Sequence, residues 1–193
     1  LYKIYINKDG VDIKPDNTLK MLGNYDVVDK MKSDFGPKVH CISIGQAGEQ
    51  KLSGASVAFT DMEQRPCRHA GRGGVGAVMG SKGVKVIVVD DEGLPARAPA
   101  NPEKFKEANK AFVAGLKKHP VTGEGQPSYG TNVLQNIVNE AGGLPTRNFT
   151  EGRFEGVAKI SGETLAETEN SRGLTEFATH GCHRGCLYRC SGT

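Results

Sequence analysis

The fold of this chain is decided by the stretch Arg68–Gly83, RHAGRGGVGAVMGSKG, and by the apolar run Val84–Val89, VKVIVV, that follows it directly. The first stretch has six glycines and three cations in sixteen residues. Glycine lets backbone N–H groups turn toward a bound oxyanion without a Cβ in the way. A helix that starts in residues 75–79 would add its positive end. The pattern therefore predicts an anion-binding loop ahead of a strand, with a ligand that carries phosphates.

The glycines match neither common nucleotide-binding motif. A P-loop contains Gly-Lys-Ser/Thr, whereas Lys82 follows Ser81 and precedes a glycine. A dinucleotide fingerprint needs a strand before the glycines, but residues 61–67, DMEQRPC, predict a loop. Two interpretations stay open, namely ligand contact and close packing of a helix against a strand. Arg68 and Arg72 favour the ligand.

Composition limits the class of protein. The 193 residues are 37% hydrophobic and 24% charged, which is typical of a soluble globular protein with one large or two small domains. A net charge of +3 is too slight to indicate a nucleic acid or membrane-surface partner, and we expect neither. We find no apolar run near the ~18 residues of a membrane span and no secretory leader. A cytoplasmic protein is expected.

Both ends of the sequence are abrupt. Leu1 opens directly on the strand pattern LYKIYI, and Thr193 comes three residues after a cysteine. We interpret the chain as a fragment of a longer protein. A sheet interrupted in this way has an unpaired edge, which favours homodimer formation.

The first half of the chain predicts mixed α and β structure. Residues 1–13 alternate in polarity around Asp9-Gly10, as in a β-hairpin. Apolar residues in the segment 19–35 recur at helical spacing, and residues 38–44 and 55–59 have the composition of strands.

The second half predicts mainly helix. Pro95 and Pro99 mark a linker, after which Asn101 caps a helix with one apolar face over Glu103–Lys118. A further helix is predicted over residues 131–141, ended by two glycines. The expected class is α+β, with a mixed-sheet domain over residues 1–95 and a mainly helical domain over residues 96–193.

Three of the five cysteines lie close together, as Cys182, Cys186 and Cys190. In a cytosolic chain such a group indicates metal ligands rather than disulfides. Three thiolates in nine residues favour a [4Fe–4S] cluster whose fourth ligand lies elsewhere. A zinc site completed by His180 or His183 stays open, as do inert thiols. We interpret the two histidines as flanking residues.

The other candidate side chains are interpreted as core or surface residues without a role in chemistry. Cys41 lies in a strand pattern and is expected in the core, while Cys67 is either a core residue or a bystander beside the glycine-rich loop. Glu49, Glu124 and Glu140 are available carboxylates. For each of the three, a solvated surface position is expected.

Taken in order, these motifs resemble the aldehyde ferredoxin oxidoreductase family of tungsten and molybdenum pterin enzymes. The resemblance spans nearly the whole chain and rests on five segments, namely 44–49 (IGQAGE), 68–82, 129–140 (YGTNVLQNIVNE), 144–149 (LPTRNF) and the cysteine triplet.

The resemblance implies a tungsten or molybdenum bis-pterin cofactor with a magnesium ion between the two pterin phosphates. Residues Arg68–Gly74 would meet the phosphates and the magnesium, and the backbone carbonyl of His69 would contact the magnesium. The implied cofactor-binding residues are Arg68, His69, Ala70, Gly71, Arg72, Gly73, Gly74 and Gly76.

The resemblance also implies an activity and a path for electrons. An aldehyde would be oxidised to its carboxylic acid, or the reverse. Electrons would pass through a [4Fe–4S] cluster held by Cys182, Cys186 and Cys190 to ferredoxin or an electron-transfer subunit. Residues 1–95 would be the second half of the N-terminal domain, and residues 96–193 the start of the helical domain.

The sequence departs from the family pattern in two respects. Better-known members have two residues between the first two cysteines, whereas three separate Cys182 from Cys186. Family chains are several times longer, so no catalytic residue is named here and the fragment alone is expected to be inactive. The alternatives are an iron–sulfur electron-transfer or scaffold module without catalysis, and a zinc-stabilised binding module.

Overall fold

The computed structural model of the chain describes residues 1–174 and 179–192 and divides into two compact units. The first unit is Leu1–Arg97, and the second begins at Ala98.

The first unit contains a mixed six-stranded sheet with the strand order β2-β1-β6-β3-β4-β5. Strands β1 and β6 run parallel, and all the other neighbouring pairs are antiparallel. The expected α+β class is therefore confirmed. The strands are β1 (Tyr2–Asn7), β2 (Gly10–Pro15), β3 (His40–Ser43), β4 (Val57–Phe59), β5 (Arg68–Ala70) and β6 (Val84–Val89).

Three helices accompany this sheet, namely α1 (Asn24–Phe35), α2 (Gln46–Glu49) and α3 (Val75–Ser81). Apolar side chains of α1 and the central strands are removed from water together, which is the main favourable term for folding. The core cluster comprises Leu19, Val27, Val28, Met31, Val39, Cys41, Val86 and Val88.

The predicted hairpin turn and the predicted start of the first helix need correction. The hairpin is present, but its two-residue loop is Lys8-Asp9, and the Asn7 side chain accepts hydrogen bonds from the N–H groups of Asp9 and Gly10. The helix predicted from residue 19 begins at Asn24. Met21 has a φ of 61°, in the left-handed region, so the chain cannot be helical through this residue.

The second unit is mainly helical. Its helices are α4 (Pro102–Lys118), α5 (Gln126–Tyr129), α6 (Leu134–Glu140) and α7 (Gly162–Ser171), and a short two-stranded sheet joins β7 (Thr179–His180) to β8 (Ser191–Gly192). Of the helices in the described ranges, none has the length and apolar character required to cross a bilayer.

The two helices predicted for this unit have different outcomes. Helix α4 is confirmed, because Pro102 is its first residue and the Asn101 side chain accepts from the Lys104 N–H at 3.0 Å. The helix predicted over residues 131–141 is divided into a 3-10 turn, Gly130–Val133, and α6.

Lys85 on β6 and Glu49 on α2 form a buried ion pair in the first unit. The Lys85 side chain is fully buried and the Glu49 side chain is 6% exposed, with 2.5 Å between Nζ and Oε1. Nζ also donates to the Leu22 carbonyl, and the Glu49 carboxylate accepts from the Met21 N–H. The predicted surface position of Glu49 is therefore wrong. The sequence did not indicate its burial because its partner, Lys85, lies on a strand distant in sequence. Glu124 and Glu140 are exposed, as predicted.

We expect replacement of Lys85 alone to destabilise the chain strongly. Lys85→Met leaves the Glu49 carboxylate buried without its counter-charge, and the loss of one partner of such a pair costs about 3–5 kcal/mol. Urea denaturation measures this free energy of unfolding. In the control, Lys85→Met with Glu49→Gln, no buried charge remains and the Gln oxygen still accepts from Met21, so the loss should be smaller. Equal losses in the two variants would contradict the ion-pair account.

Candidate functional site

The predicted anion-binding loop begins at an edge of the sheet. Strand β5, which consists of Arg68–Ala70, pairs only with β4 in the described sheet, and the loop of residues 71–74 connects it to α3. Residues 61–67 form the loop that the sequence predicted, but the short strand β5 lies between this loop and Gly71, and the sequence did not predict it. The strand places the loop at the open side of β5, where its residues 71–73 are exposed.

Asp61 organises the chain that leads into this loop. Its Oδ1 accepts from the N–H groups of Glu63 and Arg65, each at 2.9 Å, and its Oδ2 accepts from the Arg65 guanidinium. Burial alone would raise the pKa of Asp61, but these donors and the Cys67 thiol together lower it to about 2. The carboxylate is therefore ionised at any ordinary pH, and it holds residues 61–67 in a tight turn.

Cys67 is a bystander rather than a core residue. It is exposed, and its Sγ donates to Asp61 Oδ2 at 3.2 Å. Partial burial and the Asp61 carboxylate raise the pKa of this thiol. Cys41, by contrast, is buried as predicted, and burial raises the pKa of its thiol to about 11. Both thiols are therefore protonated and unreactive at neutral pH.

Three glycines of the motif serve helix packing. A Cβ on Gly74 would lie 2.6 Å from a backbone oxygen in the segment 53–56, and one on Gly76 would be closer still to that segment. A Cβ on Gly80 would overlap the carbonyl of Gly48 in α2. At these positions the packing interpretation of the motif is correct.

The loop ahead of the helix is different, because its glycines face open space. A Cβ on Gly71 or Gly73 would meet no atom within 4 Å. Gly73 has a φ of +82°, which disfavours other residues. Packing thus explains neither glycine, and the open side of the loop is available to a ligand.

The start of α3 provides fewer free donors than the sequence indicated. The Gly76 N–H already donates to the Ala55 carbonyl at 3.0 Å, and the Ala77 N–H donates to the Gly74 carbonyl at 3.0 Å. The helix has only seven residues. Anion binding would therefore depend mainly on the loop and its cations.

Polar side chains lie in the loop and next to it. The His69 ring accepts from or donates to Ser56, with 2.9 Å between Nδ1 and Oγ. Arg72 is exposed, and Arg68 is half-buried at the start of β5. The sequence did not indicate the contact with Ser56, because Ser56 lies just before β4, the strand that pairs with β5.

The cysteine loop in the second unit is closed by the short sheet of β7 and β8. In this loop the Sγ atoms of Cys182 and Cys186 and a ring nitrogen of His183 all lie within 4.8 Å of one another. Cys190 is not in this group, although its carbonyl is held by the Thr131 N–H and hydroxyl at 2.9 and 2.8 Å. The sequence interpreted His183 as a flanking residue and left a zinc site that includes it open, and the structure places one of its ring nitrogens beside the two thiols.

The backbone of the loop favours a thiolate at Cys186. The N–H of Arg189, followed by those of Cys182 and Tyr188, lowers the pKa of the Cys186 thiol, although partial burial opposes the shift. Thiolates are the form that binds metals, so Cys186 is suited to that role.

Comparison with known proteins shows the family. Residues 1–91 match the family described as aldehyde ferredoxin oxidoreductase, N-terminal domain, and residues 107–193 match aldehyde ferredoxin oxidoreductase, domains 2 & 3. The chain belongs to the aldehyde ferredoxin oxidoreductase family.

Its relatives include the tungsten-containing aldehyde ferredoxin oxidoreductases of Pyrococcus abyssi and Thermococcus kodakarensis, which are 42% and 39% identical over 186 residues. These alignments cover 95% of this chain but 29% of each relative, so the chain spans less than a third of their length. Among solved structures, the active site complex BamBC of benzoyl coenzyme A reductase is similar, with 30% identity and a TM-score of 0.54. That similarity covers 63% of this chain and 18% of the other.

We expect two alanine substitutions within the motif to have different effects on stability. Gly80→Ala places a methyl group on the Gly48 carbonyl, so α2 and α3 must separate and the free energy of unfolding should fall by roughly 1–3 kcal/mol. Gly71→Ala meets open space and should change it by no more than about 0.5 kcal/mol. Thermal or urea unfolding measures both. If Gly80→Ala is as stable as Gly71→Ala, the packing account of α3 is incorrect.

Proposed function

We propose that this chain is part of a cytoplasmic tungsten- or molybdenum-pterin oxidoreductase that acts on an aldehyde or a related carbonyl compound. The observation that carries the proposal is the open loop Gly71–Gly73, whose glycines are not explained by packing and which has Arg68 and Arg72 beside it. Relatives named tungsten-containing aldehyde ferredoxin oxidoreductase, at 42% identity, support the cofactor and the substrate class.

The residues present fit a phosphate-bearing cofactor. Open space beside Gly71 and Gly73 admits an oxyanion close to the backbone, and the exposed Arg72 guanidinium supplies several donors and a fixed positive charge. We assign the phosphates and a magnesium ion to residues Arg68–Gly74, with the His69 carbonyl as the magnesium contact. Gly74 and Gly76 support the loop from behind, since both pack against residues 53–56.

The pterin-bound metal would supply the two-electron redox chemistry, in which an aldehyde and water become a carboxylic acid with release of two electrons and two protons. The part of this chain is to bind and orient. Asp61 and the buried pair of Lys85 and Glu49 keep the strands and helices behind the loop in place. No residue of this chain is assigned to proton transfer.

Electrons would leave through the cysteine loop of the second unit. We propose Cys182, Cys186 and Cys190 as three ligands of a [4Fe–4S] cluster, with a fourth ligand outside this chain and ferredoxin as the acceptor. Thiolate ligands and backbone N–H donors, as found around Cys186, are the groups that hold such clusters and set their potentials. Because the fourth ligand is external, we expect the 193-residue chain alone to be inactive.

We further propose the domain assignment that the family implies. Residues 1–95 would form the second half of the cofactor-binding N-terminal domain, and residues 96–193 the start of the helical domain.

A second candidate is reduction of an activated ring, because benzoyl coenzyme A reductase is among the similar solved structures. The aldehyde remains the better proposal, since the named aldehyde enzymes have higher identity over more of the chain. Turnover assays of the complete enzyme with an aldehyde and with an aromatic acyl-CoA distinguish the two.

Replacement of the two loop arginines tests the cofactor site. In the complete enzyme, purified without oxygen, Arg68→Ala with Arg72→Ala should lose most of its pterin and its tungsten or molybdenum, because two phosphate contacts are gone, and should keep its iron. Pterin fluorescence after release and elemental analysis measure these contents.

The matched control is Lys117→Ala with Lys118→Ala, which removes two exposed cations from the end of α4. This variant should keep both pterin and iron. Retention of pterin by the arginine variant would instead support an iron–sulfur scaffold whose glycines only pack.

A further inference from the structure

The backbone of Cys190 is bound by a residue far away in the sequence, Thr131. The Thr131 N–H donates to the Cys190 carbonyl at 2.9 Å, and the Thr131 hydroxyl donates to the same oxygen at 2.8 Å. A carbonyl oxygen has two lone pairs, so the two bonds use its full capacity as an acceptor. The two residues are 59 positions apart. The contact therefore fixes the end of the cysteine loop against another segment of the second unit.

The local sequence places the Thr131 donors in a fixed position. Gly130 ends α5 with φ 62° and ψ −159°, a backbone conformation that is essentially restricted to glycine. The 3-10 turn begins at Gly130, so the Thr131 N–H lies in its first turn, where backbone donors have no partner inside the helix. Gly162, at the start of α7, packs closely on this turn, since a Cβ there would lie 2.8 Å from Tyr129 Cβ. The turn thus presents an unused donor from a packed position.

The cysteine loop meets these donors directly after a strained residue. Arg189 has a φ of 43°, in the left-handed region that residues other than glycine seldom adopt. Its Nη2 donates to the Thr179 carbonyl at 2.8 Å, and the Thr179 hydroxyl donates to the Pro127 carbonyl at 2.6 Å. Such a conformation persists when surrounding contacts hold it, and it is common at functional sites. Contacts on both sides of Arg189 therefore hold the backbone that brings Cys190 to Thr131.

The other two cysteines of the motif have a support of their own. Cys182 and Cys186 lie in one turn, in which the Cys186 N–H donates to the His183 carbonyl at 3.2 Å. Their Sγ atoms lie within 4.8 Å of each other, and Cys190 is outside that group. Metal ligands are oriented by the groups that hydrogen-bond around them. A third ligand outside the turn needs such a group elsewhere, and Thr131 is in the position to supply it.

We propose that Thr131 is a positioning residue for Cys190 as a metal ligand. It acts through the Cys190 carbonyl, because the two hydrogen bonds fix the backbone from which the thiolate projects. The inference rests on the proposed function, in which Cys190 is one of three ligands of a [4Fe–4S] cluster. Thr131 itself is not a ligand. Its part is to keep the third thiolate from moving away from the iron.

Iron release from the complete enzyme, purified without oxygen, tests the inference. Thr131→Val keeps the shape of the side chain and the backbone N–H but removes the hydroxyl donor. With dithionite present, we expect this variant to lose iron to a ferrous chelator about tenfold faster than the unaltered enzyme, because loss of an outer-shell partner costs about 10–100-fold in metal affinity. Thr131→Ser keeps the hydroxyl and should restore slow release.

The matched control is Thr150→Val. The Thr150 hydroxyl donates to the Arg147 carbonyl at 2.8 Å, so this variant loses a bond of the same kind and length elsewhere in the second unit. Thr131 and Thr150 are both exposed. The control should release iron at the rate of the unaltered enzyme. Circular dichroism and pterin content should be unchanged in all three variants.

Four results would overturn the inference. They are an unaltered rate of iron release from Thr131→Val, equally fast release from Thr150→Val, no rescue by Thr131→Ser, and a Thr131→Val enzyme that is unfolded by circular dichroism. In the last case the hydroxyl would support the fold rather than one ligand. Absence of iron from the unaltered enzyme would overturn the proposed cluster itself, so the two failures are distinguishable.

Discussion

The close approach of α3 to α2 is the constraint on which the first unit depends. The Gly48 carbonyl occupies the position that a Cβ on Gly80 would need, and the backbone of residues 53–56 does the same at Gly76. Only glycine permits this contact. Because α3 is fixed in this way, the loop that connects β5 to α3 leaves the edge of the sheet with its residues 71–73 exposed.

A buried ion pair also holds α2 in place. Lys85 on β6 reaches Glu49 on α2, and Glu49 in turn binds the backbone of Met21. The pair therefore connects the centre of the sheet to the helix that α3 packs against. Buried pairs add little net stability but are costly to break, so we expect this one to specify the position of α2 more than to add stability.

Local signals were sufficient for much of the fold. The apolar run Val84–Val89 and the Asn101 cap of α4 depend on neighbouring residues, and both were predicted. The burial of Glu49 was not, because its partner Lys85 is 36 residues away. The separate roles of the glycines in the motif could not be predicted for the same reason. Contacts with residues 48–56 decide which of these glycines pack and which face open space. The close approach of His183 to Cys182 and Cys186 could not be predicted either, because spacing alone does not show how a loop folds back on itself.

The central claim is that this chain helps to hold a pterin-bound metal and an iron–sulfur cluster. The most direct test is elemental analysis of the complete protein, purified without oxygen from cells supplied with tungstate and molybdate. The account predicts iron together with tungsten or molybdenum in the folded protein. Absence of both iron and the heavier metal would contradict it.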